Sequence, residues 1–268
     1  MNTQELNKLH ARIHPDAKIG NEVSIGPFTF IDRDVEIGDN TWIGPNVTIF
    51  AGARIGKNCK IYPGAVVSGN PQDLKYQGEE TLTFIGDNTT IRECVTINKG
   101  TSYANKTVVG SNCLLMAYVH VAHDCILGDN VILANSVNLA GHVEIEDHAI
   151  LEGVVAVQQF LKIGQHAFVA GGTMVRKSVP PFVKAAREPI SYAGINSIGL
   201  NRRGYSDETI KHIQDIYRVL YIKNNNTAQA VEIIETTIDA SPEREIILDF
   251  IRKADRGIMR GLRTTKQS

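Results

Sequence analysis

Neither sign of charge prevails in this sequence: 28 lysines and arginines stand against 29 aspartates and glutamates, a formal net charge of −1. A nucleic-acid partner is therefore not expected, because its phosphates normally demand a basic surface. Long apolar runs are missing as well. No stretch approaches the length of a bilayer span, and the opening residues MNTQELNKLH hold no apolar core of a secretory signal. Cysteines number only four in 268 residues, and Cys94 has no metal-motif spacing to the others. These absences lead us to expect a soluble cytoplasmic protein with no stable membrane insertion.

What is present is a period of six. An aliphatic residue occupies every sixth position from Ile13 to Val67, then Ile85, Ile91 and Ile97, then every sixth position again from Val109 to Val175. Six fits neither the 3.6 of a helix nor a simple strand alternation. It is the mark of a hexapeptide-repeat β-helix, in which each hexad forms one flat side of a coil. Four residues after each anchor stands a small or β-branched residue, among them Ala17, Val35, Thr41, Ala53 and Ala65. Cys59, Cys113 and Cys125 fill this inward place and read as reduced core thiols, whereas Cys94 falls at an outward one. The large anchors are expected at the corners of a triangular prism. Gly20-Asn21 and Gly128-Asp129-Asn130 supply turn residues that tolerate positive φ. Three hexads close a coil, so residues eighteen apart should stack at about 4.8 Å.

Two segments, 68–84 and 98–107, interrupt the period and are expected to be loops on a rigid frame, where function often sits. The hexads stop at Ser178-Val179-Pro180-Pro181, and a helical period follows. Ser206-Asp207-Glu208 reads as an N-cap with an acidic first turn, Thr227 as the start of a second helix, and Ser241-Pro242 as the cap and first residue of a third. We expect a β-helix domain over residues 1–190 and a helical domain over 191–268.

Of the eight histidines, His10, His14, His166 and His212 have no company of note and read as surface or cap residues; His148 holds a routine turn position. His120, His123 and His142 cluster in the pattern. His123 lies two residues past its anchor Val121 and is expected to project from a flat side. Gly141 falls eighteen residues later, one coil directly above, and Gln159 one coil above that. A histidine beside an unencumbered backbone N–H suits acyl transfer: the imidazole takes a proton from an attacking hydroxyl while the N–H meets charge developing on the acyl oxygen. Asp124 follows directly and could orient the imidazole. Two other readings stay open on spacing alone. The histidines could merely pack between coils or subunits, or three of them could hold zinc as in hexapeptide-repeat carbonic anhydrases.

Several motifs are more particular than the hexads. The loop Asn70-Pro71-Gln72-Asp73-Leu74-Lys75-Tyr76, the run Ile91–Ile97, the block His120-Val121-Ala122-His123-Asp124-Cys125, Leu139–Val143, Val157–Phe160, Gly194–Asn196 and Gly199–Gly204 resemble the UDP-N-acetylglucosamine 3-O-acyltransferase family, over nearly the whole chain. The resemblance implies a left-handed β-helix with C-terminal helices, and the first step of lipid A synthesis: transfer of an acyl group from acyl carrier protein to a sugar 3-hydroxyl. It also implies a homotrimer with sites in the clefts between β-helices. No cofactor of the enzyme's own is implied, since 4'-phosphopantetheine arrives on the donor, and no metal.

By the same resemblance His123 is the general base, Asp124 its orienting carboxylate and Gly141 the oxyanion donor. Gln72, Asp73, Lys75, His120 and His142 line the site. Gln158, Gln159, Asn196, Arg202 and Arg203 serve the nucleotide end, where an arginine fork suits phosphate. Gly171 matches the position that limits acyl length; lacking a side chain, it leads us to expect a long (R)-3-hydroxyacyl group of about fourteen carbons or more. A flat turn role would explain the same glycine. Asn98, Gln158, Pro189 and Ile198 depart from residues common in the family. Arg252, Lys253, Arg256, Arg260 and Arg263 offer a basic dock for an acidic carrier protein, though solvated helix ends would look alike. Three alternatives remain: the N-acyltransferase of the same pathway, which normally carries an extra N-terminal domain; a zinc enzyme; and a scaffold without catalysis. A 3-amino sugar would need the same base as a 3-hydroxyl.

Overall fold

The computed structural model describes residues 10–221 and 226–261. Within it the chain winds into a parallel β-helix whose sides are mostly two-residue strands, such as Lys18–Ile19 and Trp42–Ile43, each followed by a short turn. Strands pair in parallel at eighteen-residue steps, Ile13 with Ile31 and Leu139 with Val157. Three sheets of nine, eight and ten strands form the prism.

The hexad explains this packing. Ile31, Ile43, Ile49, Leu115 and Leu133 are fully buried, as are Val35, Val47, Ala53 and Cys59 four positions after an anchor. Each buried aliphatic anchor contributes roughly 1.5–3 kcal/mol of apolar transfer. The anchors stand within the strands, however, and not at the corners as expected. The corner is the turn two and three residues further on, because its second residue adopts a left-handed backbone: φ is 58° at Asn40, 55° at Asn58 and 59° at Asn130. A β-branched anchor is sterically opposed to that conformation, whereas Asn accepts it. Several turn N–H groups are closed by a carboxylate one coil away. Asn21 donates to Asp39, Lys57 to Asp87, Ser111 to Asp129 and Asp129 to Asp147.

Both interruptions leave from one corner. Val67 pairs with Ile97 and Thr96 with His120, steps of thirty and twenty-four residues in place of eighteen. The strands reach into the expected loops at each end, over Val66–Gly69, Leu82–Ile85, Thr96–Asn98 and Lys106–Val109. The frame is therefore unbroken, and only the corner is enlarged.

Where the hexads stop, the third sheet continues. Val183–Ala186 pairs in parallel with Phe168–Val169, and Ser191–Ile195 closes the edge antiparallel to it. Among the described residues four helices follow: α1 (Ser197–Arg202), α2 (Asp207–Tyr221), α3 (Thr227–Thr237) and α4 (Pro242–Lys253). Asn226 caps α3 with a capping box and Ser241 caps α4, with proline at its first position. The six-residue α1 lacks the length for a periodic signal. Tyr217 of α2 is fully buried and donates its hydroxyl to the Pro181 carbonyl at 2.7 Å, fastening the helices to the top of the prism. Among the described residues no helix is long and apolar enough to cross a membrane.

Candidate active site

The corner that carries both loops also carries His123 and Asp124, so His123 projects from a turn and not from a flat side. Asp124 adopts φ +59° and is 3% exposed. Its Oδ2 lies 2.7 Å from His123 Nδ1. With Nδ1 donating to the carboxylate, Nε2 is the basic nitrogen. Burial by itself would raise the Asp124 pKa, but the bonds from His123 and Thr101 outweigh it and hold the carboxyl below its ordinary range.

Gly141 sits one coil above, as the register requires: the next residue, His142, donates its N–H to the His123 carbonyl at 3.1 Å. A Cβ on Gly141 would lie 2.6 Å from His123 Cε1 and 2.7 Å from Nε2. Glycine is thus needed here for space beside the imidazole. The Gly141 N–H has no acceptor among the described residues, whereas the N–H groups of Asn21, Lys57, Ser111 and Asp129 are closed by Asp39, Asp87, Asp129 and Asp147. Gln159 occupies the corresponding place one coil up and leaves that N–H open.

His142 stacks on Phe160 at 4.2 Å and meets His123 edge-on at 5.0 Å. Burial lowers its pKa, partly countered by the nearby charges of Asp124 and Asp73. The Asp73 effect places the first loop at this corner. Lys75 donates its backbone N–H to Asp73 Oδ1 at 2.9 Å, and Gln72 is exposed in the same loop. His120 points from the strand before the corner, its Nδ1 2.7 Å from Thr96 Oγ1, and burial lowers its pKa.

The metal reading can be tested on distances. One ligand atom each from His123, Asp124 and His142 falls within 4.8 Å of the others, while His120 is outside the group. Two donors bound to one tetrahedral zinc stand about 3.3 Å apart, given bonds of about 2.0–2.1 Å. The 2.7 Å between His123 and Asp124 is a hydrogen-bond distance instead.

Other expected site residues lie on different corners of the same chain. Asn196 caps α1, accepts the Gly199 N–H, and donates to the His166 carbonyl at 3.0 Å. Arg203 reaches the carbonyls of Gly199 and His148, and Arg202 is exposed beside it. Gly171 belongs to the third corner, where its N–H donates to Glu152 Oε2 at 3.0 Å. Its neighbour Gly172, at φ +70°, is the one with the left-handed backbone, so the turn does not require glycine at 171. Gln158, by contrast, is exposed next to Gln159 on the same corner as His123.

The structure also corrects the reading of His166 and adds residues to the site. His166 is no surface residue: it is 6% exposed, stacks between His148 and Phe182, and lies 3.2 Å from the Tyr205 hydroxyl. Burial, with His148 and Arg203 nearby, lowers its pKa to about 4. Thr101, Tyr103, Ala104 and Thr107, all within or bounding the second loop, carry no motif of their own yet gather around Asp124 and His142. Their signal was the insertion itself, at the same corner as His123. Asn98 is buried and donates to the Asn70 carbonyl, tying the two loops together. Ile198 is exposed in α1. Above Met174, a cavity of about 470 Å³ is lined by Arg176, Lys177, Arg187, Pro189, Ile258 and Arg260.

Comparison with known proteins bears on the same geometry. Residues 179–259 match the family described as UDP N-acetylglucosamine O-acyltransferase, domain 2. Residues 106–141 match bacterial transferase hexapeptide repeats, and residues 7–113 the GMPPB C-terminal domain. An acyl-[acyl-carrier-protein]–UDP-N-acetylglucosamine O-acyltransferase of Chlorobium phaeobacteroides is 60% identical over 255 residues, 94% of this chain and 97% of that protein. The crystal structure of LpxA, a UDP-N-acetylglucosamine acyltransferase from Bacteroides fragilis, is 50% identical with a TM-score of 0.92, covering 94% of this chain and 98% of that one. The Francisella novicida UDP-N-acetylglucosamine acyltransferase is 41% identical with a TM-score of 0.92, covering 95% and 94%. The β-helix is accordingly of the left-handed kind. The chain belongs to the family of acyl-[acyl-carrier-protein]–UDP-N-acetylglucosamine O-acyltransferases.

Proposed function

We propose that the chain transfers a long (R)-3-hydroxyacyl group from acyl carrier protein to the 3-hydroxyl of UDP-N-acetylglucosamine, the first step of lipid A biosynthesis, in the cytoplasm. The observation that carries the reading is the open Gly141 N–H beside a histidine whose Nε2 is free. Nε2 of His123 takes the proton of the sugar hydroxyl as its oxygen attacks the thioester carbonyl. Asp124 holds the ring and stabilises the imidazolium that forms. The Gly141 N–H receives the oxyanion of the tetrahedral intermediate. Collapse breaks the carbon–sulfur bond, and the pantetheine thiolate takes the proton back from His123. No cofactor of the enzyme's own enters this sequence.

Gln72, Asp73, Lys75, His120 and His142 surround the reacting atoms in this reading, and Gln158, Gln159, Asn196, Arg202 and Arg203 bind the nucleotide. These groups and Gly171 occupy three corners of one prism, which supports a homotrimer whose clefts join different corners of neighbouring subunits. A division of the chain near residue 190 belongs to the same proposal. For the carrier protein, Arg252 and Lys253 are already paired with Glu235 and Asp249. Arg256 and Arg260 are the better dock, beside Arg187; Arg263 lies outside the described residues. Four free thiols suit a reducing compartment.

Mass spectrometry of products from purified protein, UDP-N-acetylglucosamine and a ladder of 3-hydroxyacyl carrier proteins tests the proposal. One acylated nucleotide, from a donor of about fourteen carbons or more, is expected. Product only from the 3-amino sugar analogue would reassign the acceptor, and none from either sugar would remove the activity.

A further inference from the structure

The second loop has a structural purpose that the chemistry of the reaction does not by itself require. Its neck is closed tightly: a Cβ on Gly100 would lie 2.2 Å from the Lys106 backbone nitrogen, and the Gly100 carbonyl accepts the Thr81 hydroxyl at 2.5 Å. From that neck the loop turns its polar groups onto one carboxylate. The Thr101 N–H donates to Asp124 Oδ1 at 2.9 Å, and the Ala104 N–H to the same oxygen at 3.3 Å. The Thr101 hydroxyl is 2.7 Å from Oδ2, the oxygen that also receives His123 Nδ1. At the far end of the loop, Thr107 Oγ1 accepts the Asp124 N–H at 2.8 Å.

The direction of the Thr101 hydroxyl is fixed by its neighbours. Oγ1 accepts the Tyr103 N–H at 3.2 Å, which leaves its own proton for the carboxylate. An ionised carboxylate can accept all these bonds at once, and its two oxygens cannot then rotate away from the imidazole. Thr101 is 8% exposed and Asp124 3%, so water cannot readily replace a lost donor.

We propose that Thr101 is a positioning residue for the reaction: its hydroxyl clamps Oδ2 of Asp124 so that His123 presents Nε2 toward the Gly141 N–H. The inference rests on the assignment of His123 as general base. Thr101 acts through Asp124. The loop is accordingly a brace for the base.

The test compares Thr101→Val, Thr101→Ser and His123→Ala in the full-length protein, with kcat and KM measured separately and folding followed by thermal melting. Thr101→Val keeps the shape and the backbone N–H but removes the hydroxyl. It should lower kcat by about tenfold or more, the loss expected for one charge-assisted bond, with KM for the nucleotide sugar nearly unchanged. Thr101→Ser, which restores the donor, should recover most of the rate at whatever melting temperature it has. If Thr101→Val keeps the wild-type kcat, or Thr101→Ser falls as far as valine does, the clamp is refuted while the general-base assignment stands. Should His123→Ala retain activity, it is the assignment beneath the clamp that fails.

Discussion

Gly141 and His123 fit together so closely that a methyl group on the glycine would rest 2.6 Å from the imidazole Cε1. Two residues eighteen apart in the chain are stacked by the coil, and the fit sets the base beside a turn N–H that has no acceptor among the described residues. Gly141→Ala should therefore preserve the N–H and the β-helix but push the ring aside. A displacement of about 1 Å costs roughly a hundredfold in rate, so kcat should fall by about that factor while the melting temperature stays near that of the wild type. Steady-state kinetics with calorimetry on the same samples would check both halves.

Acyl length should respond to Gly171. The residue is exposed on its corner, its backbone does not demand glycine, and an added Cβ would come to 3.2 Å from the Gly153 carbonyl. A modest local shift admits a side chain, which then projects into the neighbouring space. Gly171→Met is expected to move the preferred donor to a shorter chain by several carbons, read from a competition among carrier-bound acyl groups. An unchanged preference would remove Gly171 from the site.

Acid should weaken the fold through His166. Its pKa is lowered to about 4 in the folded protein by burial, with help from His148 and Arg203, against about 6.5 when unfolded. The unfolded chain thus binds the proton first. The stability tied to this residue is complete above about pH 6.5 and is lost progressively as the pH falls toward about 4. Melting curves across that window should show a shallower decline for His166→Phe, which can keep the stack on Phe182, than for the wild type. Parallel declines in the two proteins would show that His166 is not the source.

Much of this is legible in the sequence. The hexad fixed the prism, the eighteen-residue stacking and the inward thiols, because one repeated burial pattern admits a single register. The vertical relation of His123, Gly141 and Gln159 followed from counting alone. The corner itself was misplaced. Strand anchors and turn residues share the period of six, and only steric limits on φ separate them. His166 reads as a surface residue because its partners Phe182 and Tyr205 lie outside the hexads, so no spacing announces them. Thr101 was hidden for a different reason: inside an insertion the register is suspended, and a threonine there looks like any loop hydroxyl. The edge strand Ser191–Ile195 and α1 were too short or too irregular to leave a periodic trace.

The assignment of His123 as the base is the claim on which the rest turns. The most direct measurement is kcat for His123→Ala against wild type, with UDP-N-acetylglucosamine and a 3-hydroxyacyl carrier protein, on material whose melting temperature and oligomeric mass match. General-base catalysis contributes about 10²–10⁴-fold, so a loss in that range with little change in KM is expected. A variant that turned over within a few-fold of the wild type would contradict the account.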